Sequence, residues 1–242
     1  MFYANPGQTS YGEDIGILLL DTNVPFIRGD VGNAKSYPFP VRYKRVDGLT
    51  AKIILKHDRS FAEKMVAGAL ELEAEGVKAI TGDCGFMALY QKEVSKAVSV
   101  PVFLSSLLQL SFIKSILPAG KKVGIVTANA ESLIPDLLDP PELLHSDIVT
   151  VTGLENTTYF RDAAIEEIGS LDYERVREEV VATAVKLGKQ SDIGAILLEC
   201  SLLPPYGHDV RRETKLPVFD YLTMIYFVRS ALVKKSFPVA LD

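Results

Sequence analysis

Residues 79–108 read AITGDCGFMALYQKEVSKAVSVPVFLSSLL, and residues 195–224 read AILLECSLLPPYGHDVRRETKLPVFDYLTM. The two segments align without a gap at a constant offset of 116 positions, and the only two cysteines of the chain, Cys84 and Cys200, coincide. The other identical pairs are Ala79/Ala195, Ile80/Ile196, Tyr90/Tyr206, Val94/Val210, Pro101/Pro217, Val102/Val218 and Phe103/Phe219. Similarity at a fixed offset indicates a duplicated structural unit. The chain is therefore expected to form two similar lobes.

Short apolar runs alternate with amphipathic helical patterns along the chain, which is the signature of βαβ units and a parallel sheet. The predicted strands cover residues 15–20, 41–46, 78–83, 102–105, 122–127, 147–152, 195–199 and 218–220. The predicted helices cover residues 61–75, 87–97, 107–117, 130–138, 172–189, 205–214 and 222–234. Four strands fall in each half, so the sequence predicts an α/β fold whose lobes each contain a parallel four-stranded sheet.

Composition excludes several classes of function. The chain has 242 residues, of which 48% are hydrophobic and 24% charged, as in an ordinary globular protein with a sizeable core. Its net charge of −5 argues against nucleic acid as a partner, because that requires a concentrated basic face. No apolar run approaches the roughly 18–20 residues that span a bilayer, and the start lacks signal-peptide features. We expect a cytoplasmic protein with reduced thiols and no membrane partner, and homo-oligomerisation stays open.

Four segments follow the ends of predicted strands, where ligands bind in open α/β sheets. They are Asp21-Thr22-Asn23, Cys84-Gly85-Phe86, Thr127-Ala128-Asn129 and Cys200-Ser201-Leu202. Two segments come from each half, so we expect a small-molecule site in the cleft between the lobes. The candidate substrate-binding residues are Asp21, Thr22, Asn23, Gly85, Phe86, Thr127, Asn129, Ser201 and Leu202.

Residues 22–40 form a long stretch rich in Gly and Pro that shows no periodicity. Loops of this length are usually functional or disordered. Its aromatic residues and Ile27 favour an ordered loop that lies over another part of the protein. The histidines show no metal-ligand spacing, and no phosphate cradle or Schiff-base site is evident. The sequence therefore predicts neither metal nor cofactor. Participation of Arg28, Asp83, Glu199 and His208 stays open.

The two thiols suit a proton transfer at carbon. Removing a proton next to a carbonyl requires a base on one face of the carbon, and inverting the centre requires an acid on the other face. Because a thiol and a thiolate can exchange these roles, Cys84 and Cys200 could serve as an acid/base pair. An ordinary thiol, with a pKa of about 8.5, is only about 3% ionised at pH 7. Preorganised donors must therefore stabilise the developing negative charge.

These features resemble the aspartate/glutamate racemase superfamily, in which each of two lobes carries a cysteine at a strand end. The Pro217-Val218-Phe219-Asp220 strand before the final helix also fits this superfamily. The resemblance implies flavodoxin-like lobes related by a pseudo-twofold axis, cofactor-independent chemistry, and Cys84 and Cys200 as catalytic residues. It also implies that the last helix packs on the first lobe, so that residues 1–105 and 222–242 form one lobe and 106–221 the other. Gly85-Phe86 stands where amino-acid racemases have Asn-Thr.

The expected function is that of a racemase or epimerase of a small substrate activated by a carboxylate or carbonyl group, such as an amino acid or a hydantoin. One alternative is a maleate-type cis-trans isomerase with a cysteine nucleophile. The other is a small-molecule binding protein without catalytic activity. In the racemase, the two thiols are expected to face each other across the cleft, about 6–8 Å apart, without forming a disulfide. In the binding protein, the cysteines would be relics.

Overall fold

The computed structural model describes residues 1, 4 and 6–237, and within them eight strands form two sheets. The first sheet contains β1 (Ile15–Leu19), β2 (Val41–Arg45), β3 (Ala79–Gly82) and β4 (Val102–Phe103) in the order β2-β1-β3-β4. The second contains β5 (Lys122–Thr127), β6 (Val149–Gly153), β7 (Ile193–Leu198) and β8 (Val218–Phe219) in the order β6-β5-β7-β8. All strand pairs are parallel. The predicted fold class is confirmed.

The described residues include seven α-helices. They are α1 (Ala51–Ile54), α2 (Ala62–Ala74), α3 (Gln91–Ala97), α4 (Leu110–Ile116), α5 (Tyr173–Gly188), α6 (Gly207–Thr214) and α7 (Tyr221–Leu232). Helix α5 begins where the Asp172 carboxylate accepts a hydrogen bond from the backbone N–H of Arg175 at 3.1 Å, a standard N-cap. Its buried residues Val176, Val180, Ala184 and Leu187 recur at helical spacing and cover one face of the second sheet.

Two helices cross from one lobe to the other. Helix α7 follows β8 of the second sheet, but its residues Tyr221, Met224 and Ile225 pack with Ile15 and Ile17 of the first. Helix α4 follows β4 of the first sheet, and its residues pack with the strands of the second. The predicted crossing of both helices is confirmed. Each sheet is thus covered on one face by its own helices and on the other by a helix that comes from the opposite lobe.

The predicted helix over residues 130–138 is wrong. This region contains two short 3-10 helices, Pro135–Leu137 and Pro141–Leu144. Prolines at 135, 140 and 141 explain the difference, because each lacks the backbone N–H that a continuing helix requires. The predicted helix over 87–97 also differs, since a 3-10 helix, Gly85–Tyr90, precedes α3. Strand β6 begins two residues later than predicted, at Val149.

The proposed lobe boundaries at 105/106 and 221/222 stay a prediction. Residues 2, 3, 5 and 238–242 of the predicted first lobe lie outside the described residues. Within the described part of the chain, no helix combines the length and apolarity needed to cross a membrane.

Candidate active site

The two cysteines follow equivalent strands of the two sheets. Strand β3 ends at Gly82 and is followed by Asp83 and Cys84, while β7 ends at Leu198 and is followed by Glu199 and Cys200. Each cysteine precedes a turn or short helix that leads away from the sheet. The duplication therefore brings two acid–cysteine pairs to the carboxyl ends of the parallel strands, where open α/β sheets bind ligands.

Both pairs line one small cavity of about 50 Å³ between the sheets. Both cysteines are free and line this cavity, so the absence of a disulfide is confirmed. That their sulfurs face each other across the cavity stays a prediction. The ionisable side chains of this lining are two thiols and two carboxyls, and the described lining residues include no Lys, Arg or His. The remaining lining residues are Leu20, Thr22, Val24, Phe26, Ala51, Ile54, Leu55, Gly85, Phe86, Ala128, Ala164, Ile165, Ser201 and Leu202.

The two carboxyls are buried and held differently. Oδ1 of Asp83 accepts a hydrogen bond from the backbone N–H of Leu20 at 2.9 Å. Oε2 of Glu199 accepts one from the Thr127 hydroxyl at 2.8 Å, whereas its Oε1 has no hydrogen-bond partner among the described residues. Burial raises the pKa of Asp83 and of Glu199 to about 7 in each case, and these hydrogen bonds oppose the effect. Both groups therefore titrate near neutral pH.

The lobes are joined directly at the site. The Ser201 hydroxyl donates to the carbonyl oxygen of Asp83 across the two lobes. The Ser106 hydroxyl, at the start of the segment that crosses from β4 to the second sheet, donates to the carbonyl oxygen of Glu199 at 2.8 Å. Gly85 lies against the Glu199 carboxyl so closely that a Cβ on it would lie 1.5 Å from Oε1. These contacts hold the two acid–cysteine segments against each other at the site.

The thiols are protonated at neutral pH in this structure. Burial raises the pKa of Cys84 well above its ordinary value, and the negative charge of Glu199 raises it further. Burial and Glu199 likewise raise the pKa of Cys200. The backbone N–H groups of Phe86 and Leu202 act in the opposite direction, because each stabilises the thiolate two residues before it. A thiolate in this cavity needs a positive charge nearby.

The long loop over residues 22–40 is ordered, as predicted, and covers the site. Its residues Val24 and Phe26 line the cavity, and the backbone N–H of Val31 donates to the carbonyl oxygen of Ser201 at 3.3 Å. Asp30 is buried and its carboxylate accepts the backbone N–H of Ile27 at 2.5 Å. The first lobe therefore supplies a cover that reaches the second lobe.

The structure brings together five of the nine predicted substrate-binding residues. Thr22, Gly85, Phe86, Ser201 and Leu202 line the cavity together with both cysteines.

The other four predicted residues lie outside the lining and have other contacts. Asp21 accepts the backbone N–H of Gly48 at 2.9 Å, and the side chain of Asn23 lies against Gly169. Thr127 holds Glu199, and Asn129 accepts the backbone N–H of Ser132 at 3.0 Å.

Sequence reasoning missed several lining residues. Ala51, Ile54 and Leu55 come from α1 and its end, and Ala164 and Ile165 come from a π-helical turn, Arg161–Ile165. No motif marks these apolar positions, and only the aromatic residues of the long loop carried a signal. Of the four residues left open, Asp83 and Glu199 line the cavity, while Arg28 and His208 are exposed and lie outside it.

Proteins similar to this chain are found among curated sequences, although no family model matches. The dimethylsulfoniopropionate lyase of Durusdinium sp. clade D is 32% identical over 232 residues, covering 89% of this chain and 74% of that protein. Dimethylsulfoniopropionate lyase 7 of Emiliania huxleyi (strain CCMP1516) is 32% identical over 234 residues, covering 90% and 67%. Lyase 3 of the same strain is 33% identical over 224 residues, and the chain spans only 57% of its length.

Solved structures share the fold at low sequence identity. Unliganded arylmalonate decarboxylase has a TM-score of 0.59 and 17% identity, covering 93% of this chain and 94% of its own. Allantoin racemase from Pseudomonas fluorescens has a TM-score of 0.55 and 16% identity, covering 91% of both chains. A glutamate racemase from Bacillus anthracis has a TM-score of 0.56 and 16% identity, covering 91% and 81%. The fold implied by the resemblance to the aspartate/glutamate racemase superfamily is confirmed.

The racemase or epimerase activity expected from the sequence is wrong. Relatives that are 32–33% identical along most of the chain are named for a different activity, that of a lyase, and this finding replaces the two alternatives as well. The protein is an enzyme on the racemase fold. This chain belongs to the dimethylsulfoniopropionate lyase family.

Proposed function

We propose that this protein is a lyase that cleaves dimethylsulfoniopropionate by elimination. The observation that carries the proposal is the ionisable lining of the cavity, which consists of two thiols and two carboxyls without a basic side chain among the described lining residues. Such a lining suits a substrate that carries a permanent positive charge and also has a C–H proton that a thiolate can remove. The family relationship supports the same activity.

The reaction balances with one base and no added reagent. The thiolate takes a proton from the carbon next to the substrate carboxylate, and the electrons of that C–H bond form the C=C bond of acrylate. The electrons of the breaking C–S bond go to sulfur, which leaves as neutral dimethyl sulfide. Because this leaving group departs without negative charge, the reaction needs no general acid. The base then returns its proton to solvent.

The cavity provides for both ends of this substrate. Its cationic end would meet Glu199 and the ring of Phe26, and aromatic faces attract such cations. Its carboxylate would meet backbone N–H groups of the 3-10 helix that follows Cys84 and of the turn that follows Cys200, because the first N–H groups of such segments have no acceptor within the segment. Hydrogen bonds there strengthen as negative charge develops on the carboxylate during proton removal.

The substrate itself would activate the base. Burial and neighbouring acids hold both thiols protonated in the structure. A sulfonium cation bound beside them supplies the opposite charge that favours a thiolate. Proton abstraction is thereby coupled to binding of the correct substrate.

The test is release of dimethyl sulfide from dimethylsulfoniopropionate by the purified protein, measured by headspace gas chromatography, with acrylate followed by proton NMR. We expect equal amounts of both products. The base is one of the two cysteines, so at least one of the variants Cys84→Ser and Cys200→Ser should reduce kcat by at least about 100-fold. The control is Ser191→Ala. Ser191 is exposed and lies just before β7, whereas the cavity lies beyond the other end of that strand. Product formation at the rate of a protein-free solution would refute the proposal.

A further inference from the structure

Glu199 carries a buried oxygen without a partner inside the cavity. The residue is fully buried and lines the site, and its Oε2 is held by the Thr127 hydroxyl at 2.8 Å. Its Oε1 has no hydrogen-bond partner among the described residues. A buried carboxylate oxygen left unpaired costs free energy, so its retention in a ligand cavity calls for a ligand group that pairs with it.

The equivalent acid of the first lobe, Asp83, already accepts a hydrogen bond from the protein backbone. Oδ1 of Asp83 accepts the backbone N–H of Leu20, which ties the end of β1 to the end of β3. Asp83 has no oxygen among the buried atoms that lack a partner in the described structure. Of the two acids that the duplication places at the site, Glu199 is therefore the one available to a ligand.

The surroundings of Glu199 favour a cation that does not donate hydrogen bonds. Apolar side chains and the ring of Phe26 line the same cavity, and the ionisable side chains of the lining are all acidic or thiol groups. A primary ammonium group could donate one hydrogen bond to Oε1, but its other two donors would stay unpaired among these apolar neighbours. A sulfonium or quaternary ammonium group has no such donors and gains both the charge attraction and the aromatic contact.

We infer that Glu199 is the counter-ion for the cationic end of the substrate and determines the preference for fully alkylated cations. The inference rests on the proposed function and names its specificity-determining residue. Thr127 acts as a positioning residue, because its hydroxyl orients the Glu199 carboxylate. The titratable groups that face Glu199 are Asp83, Cys84, Cys200 and Tyr221.

The test compares two unreactive ligands of the same shape by isothermal titration calorimetry. One is 3-(trimethylammonio)propionate, which carries the charge, and the other is 4,4-dimethylpentanoate, which does not. In the unmodified protein we expect the cation to bind at least about tenfold more tightly, equivalent to about 1.4 kcal/mol. In Glu199→Gln this preference should fall to less than about twofold, because affinity for the ligand with the cationic group decreases.

Asp83→Asn serves as the matched control, since Asn retains an acceptor for Leu20, and it should keep most of the preference. A preference retained in Glu199→Gln overturns the inference. Should that variant fail to fold, Thr127→Val replaces it: removal of its hydroxyl should move the pH midpoint of cation binding upward, and an unchanged midpoint contradicts the role of Glu199. A protein that binds the cation through Glu199 but releases no dimethyl sulfide would refute only the proposed function.

Discussion

Gly85 lies directly against Glu199 of the other lobe at the site. A Cβ at this position would lie 1.5 Å from Oε1 of Glu199 and 3.0 Å from its carbonyl oxygen. Gly85→Ala should therefore lower the free energy of unfolding by about 1–3 kcal/mol, because the carboxyl and the segment must shift apart. Urea unfolding measures this change. Gly188→Ala is the control, since a Cβ there meets side-chain atoms at 3.3 Å or beyond and should be tolerated.

The Glu199 carboxyl should make stability depend on pH. Its pKa in the folded protein is about 7, above the ordinary 4.5, so the folded state binds this proton more tightly than the unfolded state does. The stability that this provides is present below about pH 4.5 and is lost as pH rises through 7. Relative to the unmodified protein, Glu199→Gln should gain about 1–3 kcal/mol between pH 5 and pH 8. Denaturant unfolding at both pH values tests this, with the exposed Glu142→Gln as control.

The raised pKa values of the thiols predict the pH dependence of the proposed elimination. Because kcat/KM reports the ionisation of the free enzyme, the active thiolate form becomes more abundant as pH rises. Burial raises the pKa of both Cys84 and Cys200, so kcat/KM should increase continuously from pH 7 to pH 9. Initial rates corrected for the protein-free reaction measure the profile. A plateau below pH 8 would mean that the base has a pKa lower than this structure implies.

At the scale of elements, the crossing helices bind the lobes together through buried side chains. Ile113 of α4 is fully buried in the core of the second sheet, and Ile225 of α7 in that of the first. Ile113→Ala and Ile225→Ala should each lower the free energy of unfolding by about 2–4 kcal/mol, because each leaves a cavity in the core of the sheet to which its helix crosses. Ile116→Ala is the control on α4. Its side chain is 54% exposed, and its replacement should change stability by less than about 0.5 kcal/mol.

At the scale of the whole molecule, the exchange of helices makes each lobe incomplete without the other. Helix α7 follows a strand of the second sheet but packs on the first, and helix α4 follows a strand of the first sheet but packs on the second. Unfolding of either lobe therefore removes the packing partners of a helix that is directly connected to the other. We therefore expect a single cooperative transition in differential scanning calorimetry, which 3-(trimethylammonio)propionate shifts to higher temperature. Two separate transitions would show that the proposed lobes are independent domains.

Much of the site follows from the duplication alone. The repeat around Cys84 and Cys200 placed both thiols at equivalent strand ends, and parallel strands bring such ends to one edge of each sheet. The reaction type did not follow in the same way. Racemisation and the elimination proposed here both begin with removal of a proton next to a carboxylate. They differ in the group on the neighbouring carbon, which the cysteine motif does not specify.

The sequence by itself determined the two parallel sheets and the paired cysteines, because local periodicity and the repeat depend on residues close along the chain. The crossing helices followed from the resemblance to the racemase superfamily. Only the tertiary structure decided that Glu199 has a free oxygen while Asp83 does not, and that Phe26, Ile54 and Ile165 enclose the cavity. These features depend on contacts between residues far apart in the chain, such as the hydrogen bond from Thr127 to Glu199. Such contacts are set by how the two lobes pack, and no local pattern encodes them.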